Sequence, residues 1–397
     1  MNRSGTVALA KRMLDLIDRR ATDLAPHLMR EPVTAYTSPD VLQRERELIF
    51  GRTAMLLGMS ADVPAPGSWR TMEIGDSPLL LWRDENGAVR LFLNSCRHRA
   101  VRICEGAGQA RSLACPFHGW RYACDGSLTG VPEPEGFDEL SRPDHGLVRL
   151  PVAEKYGLIF GSPTPGPAIE VDTLLQGLGP ELGEWGFESF SLYTRHHVHP
   201  FRGNWKYAWD TYCENYHFAF LHAKTLSGYL VSRRQAVDFY GPHVRMVSAL
   251  RSIDALREQP EEQWDPLSHI TIQYRLFPSV SFSAFPGKME VYWILPGSKP
   301  DEGHGIHAVY VRHPPETDEE RAKLDESVRF GCEDIVNAED LWITGQSEPG
   351  LRAPGSPGYV IFGRNEPVVQ HFHARFRERI GDESLADPAF GAPRRRQ

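Results

Sequence analysis

The chain has 397 residues, a hydrophobic fraction of 41%, a charged fraction of 24% and a formal net charge of −8. One hydrophobic core rarely grows past about 250–300 residues, so this length predicts two domains. The acid excess argues against a nucleic-acid binder, which needs a clustered basic surface, and no apolar run nears the roughly 18 residues of a membrane span.

Residues 7–17 are apolar at helical spacing, but Lys11 and Arg12 interrupt them, which predicts an amphipathic helix lying on the fold rather than a secretory leader. With six cysteines and no leader, a reducing, cytoplasmic location is expected, with the thiols in metal-binding or buried roles rather than a disulfide framework. Short apolar runs at 54–57, 79–82, 89–93 and 157–160 lie between Gly, Pro and Asp turn signals and predict a small β-domain. The Pro-rich stretch 162–167 is the expected boundary. The division predicted is an N-terminal helical segment (1–45), a first domain (46–165) and a second (166–397). In the second, 204–222 reads as one helix, strands follow around 270–285, 289–295 and 307–313, and 317–346 is helical again. The fold class is α+β, an antiparallel sheet wrapped around long helices. No Gly-rich dinucleotide fingerprint is present, so NAD(P)H binding by this chain is not expected.

Two constellations carry chemistry. In the first, Cys96-Arg-His98 is separated by sixteen residues from Cys115-Pro-Phe-His118-Gly-Trp. Two thiolates on one iron and two neutral imidazoles on the other are the ligand set of a Rieske [2Fe–2S] cluster. A Cys₂His₂ zinc site uses the same atoms, but zinc fingers usually place Cys with Cys and His with His, whereas each arm of this motif carries one of each. Cys104 and Cys124 are left over and read as packed thiols.

Residues 50–165 thus resemble the Rieske domain of the ring-hydroxylating oxygenase α-subunits. The resemblance implies an N-terminal Rieske β-domain followed by a helix-grip catalytic domain. Cytochrome bc-type Rieske proteins add a disulfide pair inside these loops, where this chain has other residues, and Arg99 and Phe117 mark the oxygenase branch of the resemblance.

The second constellation is Asp210, Glu214-Asn-Tyr-His217 and, after four more residues, His222. Positions 210, 214 and 217 would share one face of a helix. His222 lies about 140° further round, so both histidines reach one metal only if the helix ends or bulges between them. Two imidazoles and one carboxylate make the facial triad of non-haem Fe(II) oxygenases. The segment, with Gly203-Asn-Trp-Lys206 before it, is similar to the catalytic motif of the same family. That similarity implies His217 and His222 as iron ligands and Glu214 as the carboxylate bridging to the Rieske histidine of a neighbouring subunit. Asp210 and Glu214 are the candidate catalytic carboxylates. The third ligand implied is Asp340, since Val336-Asn-Ala-Glu339-Asp340 followed by Gly350-Leu351 fits the family pattern; Asp334 is the competitor. His196-His-Val-His199 and His371-Phe-His373 are assigned hydrogen-bonding or surface roles.

The family resemblance implies one [2Fe–2S] cluster and one Fe(2+) per chain, a separate ferredoxin or NAD(P)H reductase, O₂, a small organic substrate and a homotrimer. The expected reaction is hydroxylation or dihydroxylation of a small aromatic or apolar compound in a cavity lined by Phe218, Phe220 and Trp293. Oxidative N- or O-demethylation uses the same iron chemistry. A Rieske electron carrier without oxygenase activity is the reading from another class. Neither a membrane nor a nucleic acid is an expected partner.

Overall fold

The computed structural model describes residues 1–285 and 287–382, with the side chains of 195–198 outside the description. Two compact units emerge: 46–189, and 1–45 together with the chain from Phe190 onward. Among the described residues no helix is long and apolar enough to cross a membrane.

The first unit is built from antiparallel strands. A five-stranded sheet runs in the spatial order Arg149–Leu150, Val89–Leu93, Ser77–Arg83, Ser68–Ile74, Ala107–Gln109. Leu79 to Trp82 are buried without a polar break, because both faces of their strand are covered. Leu80, Trp82 and Phe92 pack with Trp120, Tyr122 and Leu128 of a three-stranded sheet (Ser112–Ala114, Arg121–Ala123, Leu128–Gly130) into one core that also holds Cys96, Cys115 and Cys124.

The Pro-rich stretch 162–167 is a turn inside this unit, which runs on to Ser189. Leu175, Leu178, Leu182 and Phe187 are fully buried, and Tyr156 donates to Asp172 at 2.8 Å. Four buried apolar side chains at roughly 1.5–3 kcal/mol each hold the segment far more strongly than proline punctuation separates it.

The second unit is a seven-stranded antiparallel sheet in the order Ser191–Arg202, Glu302–Val311, Lys288–Pro296, Val280–Phe285, Ile270–Leu276, His243–Ala249, Ala236–Tyr240. The helix Arg3–Asp18 packs through Val7, Ala10, Met13 and Leu14 on its last two strands. The N-terminal 45 residues therefore belong to this unit and not to a segment of their own. The strand Met29–Pro32 pairs with Tyr359–Phe362, Asn204 donates to the Tyr36 carbonyl at 2.7 Å, and Glu45 accepts from Trp205 and Lys206.

Two predicted helices differ in the structure. The first spans only Trp205–Tyr212, capped by the Asn204 side chain, and the chain then turns irregularly to a short 3₁₀ segment His217–Ala219. The Glu214 carboxylate accepts from the backbone N–H groups of Tyr216 and His217, which offers them a partner other than the helix ladder. The second starts with a capping box at Thr317 and Glu320, runs as α-helix over Asp318–Arg329, widens to a π-helix over Phe330–Leu341 and returns to α over Trp342–Arg352. Gly203, at φ +120°, passes so close to this last helix that a Cβ would lie 2.6 Å from the Thr344 methyl.

Between the strand Met29–Pro32, the helix Trp205–Tyr212 and the helix Pro367–Ile380 lies a buried polar network. His373 bonds Asp210 at 2.9 Å and faces Glu31 at 3.4 Å, Tyr36 donates to Asp210 at 3.0 Å, and Arg377 pairs with Glu31 at 2.9 Å. Burial by itself lowers the His373 pKa, but the Asp210 and Glu31 carboxylates outweigh it and push it up to about 9. A proton held more tightly in the folded state stabilises fully below about pH 6.5 and ceases to do so as pH rises through about 9. The stability advantage of the native chain over His373→Gln is expected to shrink by on the order of 3 kcal/mol between pH 6.5 and 9.5. Urea melts of both proteins at the two pH values measure it; a constant difference would show that His373 is not protonated in the fold.

Candidate functional site

In the first unit two loops share one hydrogen-bond frame. Cys96 N–H donates to Val101 O at 2.9 Å and Ala100 N–H to Cys96 O at 2.9 Å; Cys115 N–H donates to Trp120 O at 2.8 Å and Gly119 N–H to Cys115 O at 3.0 Å. The fifth residue of each loop is left-handed, Ala100 at φ +59° and Gly119 at +71°. The imidazole is third in one loop and fourth in the other, so the loops are alike in backbone but not in side-chain placement.

The thiols of Cys96 and Cys115 are buried, and Cys96 Sγ lies 3.3 Å from the Tyr122 hydroxyl. Burial raises the Cys115 pKa, while backbone N–H groups of Phe117 and His118 directed at its sulfur favour the thiolate. The His98 and His118 rings stand 4.6 Å apart, and His98 stacks on Trp120 at 5.0 Å. His98 Nδ1 is buried without a hydrogen-bond partner. Burial, His118 and Arg99 lower the His98 pKa and keep this imidazole neutral. Two thiols, two imidazoles and an unmatched buried ring nitrogen fit a [2Fe–2S] cluster. Cys104 and Cys124 pack in and against the same core.

In the second unit His217, His222 and Asp340 come together. Nε2 of His217 and Nε2 of His222 are 3.1 Å apart, and Asp340 Oδ1 lies 3.6 and 3.3 Å from them. Nδ1 of His217 bonds Glu214, and Nδ1 of His222 bonds Glu339 at 2.6 Å. With each Nδ1–H given to a carboxylate, both Nε2 atoms are acceptors. Asp340 Oδ1 is buried with no hydrogen-bond partner. With both rings neutral, three lone pairs therefore converge on one point, an arrangement suited to a cation. Burial lowers the His222 pKa, but the nearby Asp340 and Glu339 carboxylates outweigh it and raise the value, as expected where positive charge is favoured. The donor set of two imidazoles and one carboxylate suits Fe(II).

The other residues singled out in the sequence lie as follows. Asp334 is on the surface, paired with Arg329 at 2.9 Å. Asp210 points away from His217 into the network with Tyr36 and His373, so the shared helical face of Asp210, Glu214 and His217 does not form; the helix stops before Glu214. His199 bonds Cys332 and Asn337 at 3.1 and 3.2 Å, with Glu333 close enough to complete a second small donor group. His371 lies 4.8 Å from the Phe239 ring, and burial lowers its pKa to about 4.

Phe218 sits against both His217 and His222, but Phe220 is 70% exposed. Trp293 is on the opposite sheet face from its neighbour Tyr292, and it is Tyr292 that meets Tyr212 at the end of the helix. Glu339 escaped the sequence reading. It holds His222 and also accepts from Thr225 at 2.6 Å; its one signal was adjacency to Asp340.

The site predicts how divalent-cation binding responds to substitution. Asp340→Ala removes the only carboxylate facing the two Nε2 atoms and is expected to abolish binding, whereas Asp334→Ala leaves it unchanged. Metal analysis of the purified variants decides it, and equal metal in both would contradict the assignment.

Comparison with known proteins finds two matching families. Residues 53–147 match the Rieske [2Fe-2S] domain and residues 187–382 the ring hydroxylating alpha subunit (catalytic domain). The alpha subunit of biphenyl 2,3-dioxygenase from Rhodococcus jostii (strain RHA1) is 33% identical over 239 residues, 56% of this chain and 48% of that one. The chain thus spans about half the length of that relative. The large oxygenase component of salicylate 5-hydroxylase from Ralstonia sp. is 26% identical over 382 residues, 84% of this chain and 87% of that one. Among solved structures, the quaternary ammonium Rieske monooxygenase CntA has the same fold, with a TM-score of 0.76 at 20% identity over 89% of this chain and 96% of that one.

Proposed function

The chain belongs to the Rieske-type ring-hydroxylating oxygenase α-subunits, and on that premise we propose that it is the terminal oxygenase of a system in which a separate ferredoxin or reductase supplies the electrons. The reaction proposed is O₂-dependent hydroxylation or dihydroxylation of a small aromatic compound; the relatives' names point to biphenyl and salicylate. The observation that carries the reading is the convergence of the Nε2 atoms of His217 and His222 and the Oδ1 atom of Asp340 on one point. A bare electron carrier has no use for that second site.

His217, His222 and Asp340 would hold Fe(II), and Cys96, His98, Cys115 and His118 the cluster. Bound there, the cluster supplies single electrons and the iron activates O₂ beside the substrate. The chain's own residues prepare both places. Glu339 and Glu214 each accept a hydrogen bond from an Nδ1–H, which aims the Nε2 lone pairs inward and makes the imidazoles better ligands. Tyr122 donates toward the Cys96 sulfur, and burial in an apolar core keeps water from the thiolates.

Glu214 also reaches the surface side of the site, where Tyr216 and Phe220 are exposed beside Arg233. In the first unit His118 is exposed, next to an exposed Phe117 over which Arg99 lies. Two different surfaces of this kind are suited to a heterologous contact between copies, which closes into a ring. We place the chain in a homotrimer in which Glu214 meets the His118 of a neighbour, and in the cytoplasm, consistent with six free cysteines.

The test is a single turnover of holoenzyme with a prereduced cluster. Oxygen from ¹⁸O₂ is expected in the product at no more than one turnover per chain. Glu214→Gln should keep both metals, because Glu214 is not a ligand, yet oxidise its cluster about 10- to 100-fold more slowly with substrate and O₂ present. Normal cluster oxidation in that variant, or full activity in a stable monomer, would rule out the bridging role. Product without ¹⁸O would rule out the oxygenase.

A further inference from the structure

The sheet face beneath the His217, His222 and Asp340 site is polar. One cross-strand row reads Arg275, Ser281, Tyr292, His307, each directly opposite the next. Glu290 lies on the same face one pleat along the strand from Tyr292. All five side chains are buried, and Tyr292 and His307 stack at 4.1 Å. Tyr212, the last residue of the helix Trp205–Tyr212, closes over this row. Its ring is 5.6 Å from that of Tyr292 and 5.9 Å from the Arg275 guanidinium. A pocket for a bare hydrocarbon would present aliphatic and aromatic side chains with few polar groups, and such a substrate would leave the buried donors of this row unmatched.

The charges on the face are not equally compensated. Glu290 has Lys288 at 2.8 Å. Arg275 has no carboxylate within ion-pair reach among the described residues. Its guanidinium donates to the Tyr212 carbonyl at 2.5 Å, to Ser281 Oγ at 2.8 Å and to Gln273 Oε1 at 3.1 Å, all neutral acceptors. A guanidinium carries five N–H donors, so two remain without a protein acceptor. Clamping a helix's last carbonyl explains one donor and needs no more than a neutral group. A buried, unpaired cation costs several kcal/mol, and proteins pair such charges or leave them for a ligand. Burial weakens its hold on the proton, lowering its pKa to about 10, so it stays charged at neutral pH.

A second group points the same way. The Tyr212 hydroxyl is buried with no hydrogen-bond partner, and burial and the Asp340 carboxylate raise its pKa, so it remains a neutral donor. One residue thus touches Arg275 through its carbonyl and faces Asp340 with its free hydroxyl.

We propose that the substrate of this site is an aromatic carboxylate whose anionic group is received by Arg275 while its ring lies against Tyr212 and Tyr292. The proposal rests on the oxygenase reading and narrows it: the acid function is held at one end, and the ring carbon to be oxidised is presented toward His217, His222 and Asp340. Arg275 selects substrate and does not take part in the oxidation.

Holoenzyme titrated calorimetrically with benzoate, its neutral isostere benzamide and the cation benzylamine tests this. Benzoate is expected to bind about tenfold or more tighter than either. Arg275→Gln should erase the preference, and Arg275→Lys should restore part of it, because charge survives in Lys. The iron itself attracts carboxylates, so the full-length Asp340→Ala chain provides the control: it should lose the iron and keep the preference. Equal binding of the three probes by the native enzyme overturns the proposal, as does a preference unchanged in Arg275→Gln or absent from Asp340→Ala. Should Arg275→Gln fail to fold, Tyr212→Phe retains the carbonyl clamp; a folded Tyr212→Phe that binds benzoate as tightly as the native chain counts against the site. Iron and cluster content, measured on the same samples, report on the oxygenase reading independently.

Discussion

Two imidazole nitrogens and a carboxylate oxygen pointed at one another in a protein interior favour a positive charge between them. The Nε2 atoms of His217 and His222 and the Oδ1 atom of Asp340 are in that condition, and much of the second unit is arranged around it. The helix Trp205–Tyr212 cannot continue through His222, because a continued helix would carry His217 and His222 about 140° apart. The opposing helix must widen into a π-segment over Phe330–Leu341, and it is within this segment that Glu339 and Asp340, adjacent in sequence, both reach the site. Departures from regular helix geometry concentrate where the site is built, which is where a local cost is repaid by function.

The carboxylates behind the imidazoles deserve equal weight with the ligands. Glu214 and Glu339 come from different elements, and each fixes one ring by its Nδ1. They put three carboxylates, Asp340, Glu214 and Glu339, around two imidazoles, so a divalent ion is held by charge as well as by lone pairs. Asp210, the other carboxylate of the segment that carries Glu214, has a different task. It ties the helix Trp205–Tyr212 to the N-terminal arm and to the helix Pro367–Ile380 through Tyr36 and His373. The platform on which the irregular turn rests is thereby made rigid.

Much of this was legible from residue order. The Cys-x-His and Cys-x-x-His arms, the Glu-x-x-His-x4-His segment and the Glu-Asp pair after Val336 named the donor atoms, because metal chemistry restricts both residue type and close spacing. The need for a break between His217 and His222 followed from helix geometry alone, although its place, before Glu214, did not. The role of Asp210 was misread for the same reason: a shared helical face exists only if the helix does.

What sequence by itself determined about this protein was the two kinds of centre and the candidate ligands for each, since those depend on local patterns that survive in one dimension. Tertiary structure decided everything that depends on partners far apart in the chain. Glu45 belongs with Lys206 across 161 positions, His222 is held by Glu339 across 117, and the first 45 residues join the second unit. The polarity of the sheet face was equally invisible, because Trp293 and Tyr292 are neighbours in sequence but occupy opposite faces, and only strand register says which of them looks at the iron site.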